Sequence, residues 1–232
     1  IRLTHFDHES ESPMKHVLYL GSALLLSAAP TMGAYVTPMM GGGQSMGSMK
    51  HVDITFDGPN IGVHIDGTVA TPWLRPLTTP DAFDPAQPWS VLGTKAYNFQ
   101  YAFNPGGFIT LPGNTGIWIE RLSHSDGLEV YLRPPMYNAA THGATWPSIL
   151  ANDGARWKWS GGMQHNAYAV LDPLESTYTA SYRVYIGDAT TGAPLGGYGS
   201  DTVTLTFNAT PVPEPAMMSL LIVGAAMLRR RR

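Results

Sequence analysis

Hydrophobic and polar residues alternate with a period of two in repeated short runs along the middle of the chain. In the first run, Val52, Ile54 and Phe56 are separated by polar residues. This alternation is typical of a β-strand with one face towards a core and the other towards solvent. Glycine, proline, asparagine and aspartate, which favour turns, separate the runs. The predicted strands are residues 51–56, 61–69, 96–103, 108–111, 116–121, 128–132, 167–171, 177–186 and 202–208.

The spacing of these strands predicts an all-β fold, a single antiparallel β-sandwich of immunoglobulin-like or jelly-roll-like type over residues 51–210. Residues 72–93 form a long, proline-rich interruption, which we expect to cover an edge or an end of the sandwich. Residues 35–50 are rich in methionine and glycine and follow no period, so they are predicted to be a flexible linker. Both termini are expected to be flexible, with a short hydrophobic helix in the C-terminal part.

The first two predicted strands form a hairpin whose register follows from the apolar residues. A turn at residues 57–60 pairs Phe56 with Ile61 and Val52 with Ile65, which places the apolar side chains on one buried face. A shift of one residue would bury the polar face instead, so the alternation argues against it.

The opposite face of this hairpin carries two imidazoles and two carboxylates. In the same register Asp53 lies across from His64, and His51 lies across from Asp66, with Cβ atoms about 5 Å apart. Because imidazole nitrogen and carboxylate oxygen suit zinc, these four residues are candidate metal ligands. His165, at the start of a later strand, is a fifth candidate. The alternative is a solvated sheet face with two cross-strand histidine–aspartate pairs.

Composition narrows the possible classes of function. The chain has no cysteine among its 232 residues, which excludes disulfides, thiolate zinc sites and cysteine nucleophiles. Its formal net charge is -3 and its basic residues cluster only in the C-terminal tail, so nucleic acid is not an expected partner. Methionine thioethers suit Cu(I), but a flexible linker is the favoured interpretation of Met39, Met40, Met46 and Met49.

Other residues that often carry chemistry have simpler interpretations in this chain. His124 and His142 occur in turn-like sequence and are predicted to be surface histidines. Five tryptophans offer stacking surfaces for sugars, although packing in the core or in loops is the favoured interpretation. They are Trp73, Trp89, Trp146, Trp157 and Trp159.

The N-terminal part has the pattern of an export signal. Met14-Lys15-His16 precede an apolar run at residues 17–29, and small residues offer a cleavage site near Gly33 or Ala34. We expect residues 14–34 to be a signal peptide that engages the Sec export machinery. Residues 1–13 are interpreted as sequence upstream of the true start site, with a short cytoplasmic extension as the alternative.

The C-terminal part, residues 211–232, resembles the PEP-CTERM sorting signal. Pro213, Glu214 and Pro215 precede an apolar stretch, which is followed by Arg229, Arg230, Arg231 and Arg232. An ordinary single-pass anchor is the alternative, but the apolar stretch is shorter than the roughly 20 residues that a bilayer span prefers. The resemblance implies transient anchoring in the inner membrane with the arginines cytoplasmic, cleavage by an exosortase, and transfer to the cell surface or extracellular matrix.

Residues 51–54 and 157–168 resemble the choice-of-anchor M domain, and the similarity covers about residues 50–208. Short motifs at residues 74–77, 97–100 and 182–188 are similar to PEP-CTERM proteins that are repressed by the zinc-uptake regulator. The resemblance implies a surface protein associated with zinc acquisition. By position, His51, Asp53 and His165 match the motif of the anchor domain. Met163 departs from it, because that pattern tends to have a second histidine there.

Three classes of function remain as hypotheses. The leading one is a non-enzymatic protein that captures zinc, or another divalent cation, at the cell surface or in the matrix. The second is a structural or adhesive matrix protein that associates with exopolysaccharide and has no metal site. The third is a hydrolase, which is disfavoured because the chain has no His-Glu-x-x-His motif and no phosphate-binding loop.

Overall fold

The computed structural model describes residues 33–134 and 145–212, which form twelve β-strands, one short 3-10 helix and no α-helix. None of the helical structure in these two ranges is long and apolar enough to cross a membrane. Most of the predicted signal peptide, the predicted C-terminal helix, the sorting motif with its four arginines, and His142 lie outside the described residues. The strands are β1 (Lys50–Phe56), β2 (Ile61–Ile65), β3 (Trp73–Leu74), β4 (Lys95–Asn98), β5 (Tyr101–Pro105), β6 (Thr115–His124), β7 (Glu129–Tyr131), β8 (Ser148–Ile149), β9 (Arg156–Lys158), β10 (Ala167–Leu171), β11 (Thr177–Asp188) and β12 (Ser200–Ala209).

The strands form three sheets that pack as two layers, which confirms the predicted all-β sandwich. One layer is a five-stranded sheet with the order β3-β12-β11-β6-β9. The other layer consists of a three-stranded sheet, β2-β1-β5, and a four-stranded sheet, β4-β10-β7-β8. Aromatic contacts join the layers: Phe103 of β5 packs against Tyr182 of β11 at 6.1 Å, and Tyr168 of β10 packs against Phe207 of β12 at 4.8 Å, between ring centroids. Residues from all three sheets therefore share one hydrophobic core.

Two strand pairs are parallel, a departure from the purely antiparallel pairing that the sequence predicted. β1 pairs in parallel with β5, and β12 pairs in parallel with β3. Parallel neighbours need a long crossover connection. The chain between β2 and β5 provides one, since it includes β3, the 3-10 helix (Pro88–Leu92) and β4 before it returns to the free side of β1.

The predicted strand at residues 96–103 is divided between the two smaller sheets. β4 belongs to the four-stranded sheet and β5 to the three-stranded sheet, with Phe99 and Gln100 between them. At this break the Phe99 N–H donates to the carbonyl of Met40 at 3.0 Å, and the Gln100 N–H donates to Oδ1 of Asn98 at 2.7 Å. The break is stable because these two backbone donors have partners outside the strand ladders.

The predicted strands also differ from the structure at one strand end, in one loop and at three short strands. β2 ends at Ile65, whereas the predicted strand continued to residue 69. Residues 108–111 form no strand, and Phe108 is 95% exposed. β3, β8 and β9 were not predicted, because two or three residues are too few to show an alternation.

The proline-rich interruption covers a face of the four-stranded sheet, where the sequence predicted that it would cover an edge or an end. Phe83, Trp89 and Leu92 pack with Tyr97 of β4 and Ala169 of β10 in a second apolar cluster on that face. The same segment also extends an edge, because β3 pairs with β12 at the edge of the five-stranded sheet. The proline-rich interruption therefore covers the outer face of the four-stranded sheet and adds one strand to the five-stranded sheet.

The methionine- and glycine-rich segment, residues 35–49, packs against the sandwich where the sequence predicted a flexible linker. The Tyr97 hydroxyl donates to the carbonyl of Gly43 at 2.9 Å and accepts from the N–H of Met39 at 3.2 Å. Arg75 Nη1 donates to the carbonyl of Gly41 at 2.8 Å. Its composition reflects tight packing, because Gly42 has a φ of 79° and a Cβ there would lie 2.0 Å from the Tyr97 carbonyl oxygen.

Candidate metal site

The hairpin that carries four of the five candidate ligands has the predicted register. Asp53 is the register partner of His64, and the apolar pairs on the other face are also as predicted. The Asp66 N–H donates to the carbonyl of His51 at 3.0 Å, so these two residues are neighbours just beyond the end of the β1–β2 ladder. The register prediction is therefore confirmed for the whole hairpin.

The correct register does not bring the candidate ligands into one cluster. Over residues 33–134 and 145–212, no three histidine, aspartate or glutamate side chains converge closely enough to hold a metal ion. His64 is exposed at the outer edge of the sheet, since β2 is an edge strand. Asp53 has turned to the other side, where its Oδ1 accepts a hydrogen bond of 2.9 Å from Asn104 Nδ2 on β5.

Asp66 has its own local partner in the turn that follows β2. Its Oδ1 accepts hydrogen bonds from the N–H of Thr68 at 2.8 Å and from the Thr68 hydroxyl at 2.6 Å. These two hydrogen bonds, with smaller contributions from the positive charges of Lys50 and His51, hold the pKa of Asp66 below its usual value. The carboxylate is therefore ionised at neutral pH and lies within electrostatic range of the His51 imidazole.

The structure instead brings His51 close to His165, the candidate from the later strand. His51 is the register partner of Ala102 on β5. On the other side of β5, Phe103 and Gln164 exchange two backbone hydrogen bonds of 2.9 and 3.0 Å in an antiparallel bridge, which sets His165 opposite Ala102. The two histidines therefore lie in one row across three neighbouring chain segments, with a single alanine between them.

All three residues of this row project from the outer face of the layer. Val52 and Phe103 belong to the core, so their neighbours His51 and Ala102 face outwards. Ala167 belongs to the outer apolar cluster, and by the same alternation His165 is on the outer face too. Since strands are about 4.8 Å apart, the outer histidines have Cα atoms about 10 Å apart, with only a methyl group between them in the row.

The backbone holds His165 in one tautomer. This histidine is 8% exposed, and its Nδ1 lies 2.9 Å from the carbonyl oxygen of Phe99. A carbonyl oxygen only accepts hydrogen bonds, so Nδ1 carries the proton and Nε2 presents its lone pair. Burial lowers the pKa of His165, and the positive charges of Arg133 and His51 lower it further, whereas interactions of the ring with the backbone of Phe99 and of Tyr101 oppose this shift. The imidazole is therefore neutral at physiological pH.

The second imidazole of the row offers a nitrogen without a partner. Nε2 of His51 is buried, and no hydrogen-bond partner for it exists among the described residues. A buried polar atom without a partner is unfavourable by about 1–3 kcal/mol unless a ligand or water binds it. A metal ion between the two imidazoles would satisfy this atom, and its other neighbour is the negatively charged Asp66.

The structure places a positive charge, that of Arg133, beside the row of His51 and His165, and no sequence pattern predicted it. The guanidinium carbon of Arg133 lies 4.8 Å from the centroid of the Phe99 ring, and Phe99 is the residue that anchors His165. Arg133 follows β7 in a proline-containing stretch with no periodicity, so only the tertiary structure places it next to the histidines.

The other histidine, methionine and tryptophan residues considered for chemistry pack within the fold or lie at its surface. His124, predicted to be a surface histidine, is half-buried against Tyr182, with ring centroids 5.3 Å apart. Met46 and Met49 are exposed. Packing is the observed role of most of the tryptophans, because Trp89, Trp146 and Trp159 are buried and Trp157 is partly buried, whereas Trp73 is 40% exposed.

One motif was overlooked in the sequence and has no catalytic context in the structure. Gly43-Gln44-Ser45-Met46-Gly47 has the spacing of the Gly-x-Ser-x-Gly nucleophile elbow. That elbow requires a strand before the serine and a helix after it. Here the serine lies in a turn, its N–H donates to the carbonyl of Gly42 at 3.0 Å, and residues 45–49 form no helix.

Comparison with known proteins adds no relative: no family model matches the chain, and no curated protein has significant similarity to it.

Proposed function

We propose that the protein is an exported, non-enzymatic zinc-binding protein of the cell surface or extracellular matrix, and that His51 and His165 are its primary ligands. The observation that carries the proposal is the pair of imidazoles in one row, one with a buried Nε2 that lacks a partner and the other with its tautomer set by the Phe99 carbonyl. The predicted sorting signal and signal peptide support the export part of the proposal.

The arrangement around His165 is the one that metal-ligating histidines adopt. Such histidines donate their second ring N–H to a backbone carbonyl or carboxylate, which orients the ring and fixes the tautomer. A neutral Nε2 that carries a lone pair binds zinc at about 2.0–2.1 Å. In this protein the Phe99 carbonyl is in the position of that acceptor, and Phe99 is itself held by its N–H bond to Met40.

Asp66 contributes negative charge near His51 but is not proposed as a ligand, because no three histidine, aspartate or glutamate side chains of the described residues converge closely enough to hold a metal ion. Its Oδ1 accepts the two hydrogen bonds from Thr68. Asp53 and His64 are not proposed as ligands of the same ion, because Asp53 is bound to Asn104 and His64 is exposed on the far side of β1. The proposed ligand set is thus smaller than the five residues that the sequence suggested.

Two protein ligands leave coordination positions open, which suits capture and release of a metal ion. Structural zinc sites are closed by four protein ligands, whereas open positions allow water or another donor to bind. A surface protein that passes zinc on benefits from such an open site, since a receiving ligand can attach before the first ligands leave.

A matrix protein with no metal site is the second candidate function, which the exposed Phe108 and Trp73 favour as stacking surfaces for sugars.

The proposal predicts that zinc binding depends on His51 and His165 and not on His64, the exposed histidine of the hairpin. The full-length chain, purified in mild detergent and freed of metal with a chelator, is titrated with zinc by calorimetry. We expect one zinc per chain for the wild type, and a loss of at least about tenfold in affinity for His51→Ala and for His165→Ala, because each removes one ligand.

His64→Ala is the matched control for this experiment and is expected to bind zinc as the wild type does. Circular dichroism of all variants checks that the sandwich remains folded. Equal zinc affinity in the wild type, His51→Ala and His165→Ala would contradict the proposed site. A loss of affinity confined to His64→Ala would instead indicate a site formed by Asp53 and His64.

A further inference from the structure

Four connections meet at one end of the sandwich. β1 and β5 run in parallel towards this end, where the chain continues into the turn at residues 57–60 and the loop at residues 106–114. β6 starts at the same end, because its first residue pairs with the last residue of β11. The loops at residues 159–163 and 189–199 follow β9 and β11 there. Residues that bind ligands are commonly found on such connections, which a rigid sheet holds in position.

Two grooves lie at this end, one on each side of the loop that joins β5 to β6. Ile109 and Leu111 line the larger groove, of about 810 Å³, whereas Thr110 and Pro112 line the smaller one, of about 500 Å³. Successive residues of an extended segment point to opposite sides, so residues 107–112 form a ridge between the two grooves. Binding sites for small ligands commonly have volumes of about 300–1,000 Å³.

The larger groove has an apolar floor and a partly polar rim. The buried Ile117 and Trp159 lie at its bottom, where both also belong to the core. Phe108 lies at the rim and is 95% exposed, so nearly all of its ring is accessible to a ligand. Thr115 and Ser160 add hydroxyl groups to the lining. A few polar groups around an apolar surface are typical of a site that binds and orients a ligand.

The backbone of the ridge has unused capacity for hydrogen bonds. Across residues 33–134 and 145–212, no hydrogen bond involves residues 107–111. A purely apolar ligand such as an acyl chain would displace solvent from these N–H and C=O groups and leave them unpaired, which is unfavourable. The ridge forms no strand either, so it offers no regular ladder that an extended peptide could join. A ligand with both an apolar face and many hydroxyl groups fits the groove better.

The grooves carry little charge. Lys158 is the one charged side chain among the described residues that line them. Its Nζ donates to the carbonyl of Ala189 at 2.6 Å, so the amine already has a partner within the protein. Binding surfaces for charged ligands normally carry the opposite charge. A neutral ligand therefore matches this end of the sandwich better than a polyanion does.

We infer that this end of the sandwich binds a neutral polysaccharide, with one pyranose ring stacked on Phe108 and its hydroxyls paired with the backbone of the ridge. A pyranose with equatorial hydroxyls, such as glucose, has C–H groups on both faces and hydroxyls around its edge. It therefore matches an aromatic ring and unpaired backbone groups at once.

A second aromatic surface is available to the same polysaccharide chain. Tyr198 lines the smaller groove and packs against Phe56, with ring centroids 6.2 Å apart. A polymer that crosses the ridge can thus contact Phe108 in one groove and Tyr198 in the other. This function goes beyond the proposed zinc site, because His51 and His165 line neither groove.

The experiment measures the binding of cellohexaose, a neutral glucose oligomer, to the full-length chain by calorimetry. The chain is purified in a detergent without a sugar head group, and all buffers contain EDTA, so that zinc does not contribute. We expect the wild type to bind cellohexaose at least about tenfold more tightly than cellobiose, because the longer chain reaches both grooves. Phe108→Ala should bind cellohexaose at least about fivefold more weakly than the wild type, because it removes the stacking ring.

Two further variants serve as controls. Phe108→Tyr keeps an aromatic ring at the rim and is expected to bind cellohexaose as the wild type does. Leu174→Ala removes a side chain that is 59% exposed in the loop between β10 and β11, at the opposite end of the sandwich, and should also bind as the wild type does. Circular dichroism of each variant checks that the sandwich remains folded.

Absence of cellohexaose binding by the wild type overturns the inference, as does equal affinity of the wild type and Phe108→Ala. Equal affinity for cellobiose and cellohexaose overturns the assignment to a polymer. A glucuronate oligomer of the same length that binds more tightly than cellohexaose overturns the assignment to a neutral ligand. The zinc titration described above is independent of these outcomes, so the proposed function stands or fails separately.

Discussion

The tautomer and the lowered pKa of His165 depend on the backbone carbonyl of Phe99 and on burial by distant parts of the chain. Its local sequence predicts neither property. Its Nδ1 is bound to Phe99, 66 residues earlier in the chain, and its ring is buried by the break between β4 and β5. His51 lies in an easily recognised strand, yet its buried Nε2 becomes evident only when β5 is placed beside it. The sequence therefore indicated which histidines are candidates, but it did not indicate that His51 and His165 lie in one row.

His124 illustrates the same limit with a consequence for stability. It is half-buried at the end of β6, edge-on to the Tyr182 ring. Burial lowers its pKa to about 4, the positive charge of Arg121 lowers it as well, and the backbone of Leu128 and the negative charge of Asp153 oppose the shift. The sequence predicted a surface histidine, because the turn that follows it hides the strand to which it belongs.

We predict that His124 makes the folded state less stable as the pH falls from 6.5 towards 4. In this interval the unfolded chain takes up a proton at the histidine and the folded chain does not, so protonation favours unfolding. Above pH 6.5 the residue contributes no pH dependence, and below about 4 its contribution is constant. His124→Phe keeps an aromatic ring against Tyr182 but cannot titrate.

Urea unfolding followed by tryptophan fluorescence between pH 7.5 and 3.5 measures this effect. The wild type should lose more stability than His124→Phe over the interval, and the difference between the two should be flat on either side. Profiles that remain parallel throughout would show that His124 is as exposed in the folded protein as in the unfolded one.

The hairpin of β1 and β2 is the element that the sequence predicted best. Its alternation leaves one register in which the apolar side chains share a face, and the observed pairing agrees with it residue by residue. The partner of β1 on its other side is β5, which comes 45 residues after β1 and runs parallel to it. No local pattern specifies such a contact, because it depends on the path of the intervening chain.

The glycine-rich segment at residues 35–49 shows how composition can mislead. Many glycines without periodicity are typical of a flexible linker, but here they allow close approach to β4 and its neighbours. Gly42 and Gly43 both have positive φ and are buried. The segment also supports the candidate site, since the Met40 carbonyl accepts from the N–H of Phe99.

We predict that Gly42→Ala lowers the free energy of unfolding by about 2 kcal/mol or more. The new Cβ would lie 2.0 Å from the Tyr97 carbonyl oxygen, and an L side chain is strained at a φ of 79°. Gly107→Ala is the control, since a Cβ at that residue would have no atom within 4 Å, and we expect a change within about 0.5 kcal/mol. Equal stability of the two variants would mean that the segment is a free linker after all.

For the whole molecule, the proposed function joins a binding domain to an export route. The domain offers the candidate zinc site on the outer face of one layer, and the predicted signals at residues 14–34 and 211–232 would carry it to the cell surface. A metal site outside the cell would bind a cation before that cation enters the cell.

We predict that Glu214→Ala prevents processing of the sorting signal. In a bacterium with an exosortase, cell fractionation and blotting should find the wild type at the surface or in the medium and the variant in the inner membrane. Glu175→Ala, which changes an exposed glutamate of the sandwich, is the control and should be sorted as the wild type is. Release of both variants to the same extent would argue against a PEP-CTERM signal.

The sequence by itself determined the all-β class, most of the longer strands, the hairpin register and the residue types available for metal binding. These features depend on local alternation and turn chemistry, which act between neighbours in the chain. Only the tertiary structure decided that β1 pairs with β5, that β4 and β5 separate, and that His51 meets His165 while Asp53 and His64 take other partners. The physical reason is that such contacts follow from the packing of distant segments around a common core, which leaves no periodic trace in the sequence.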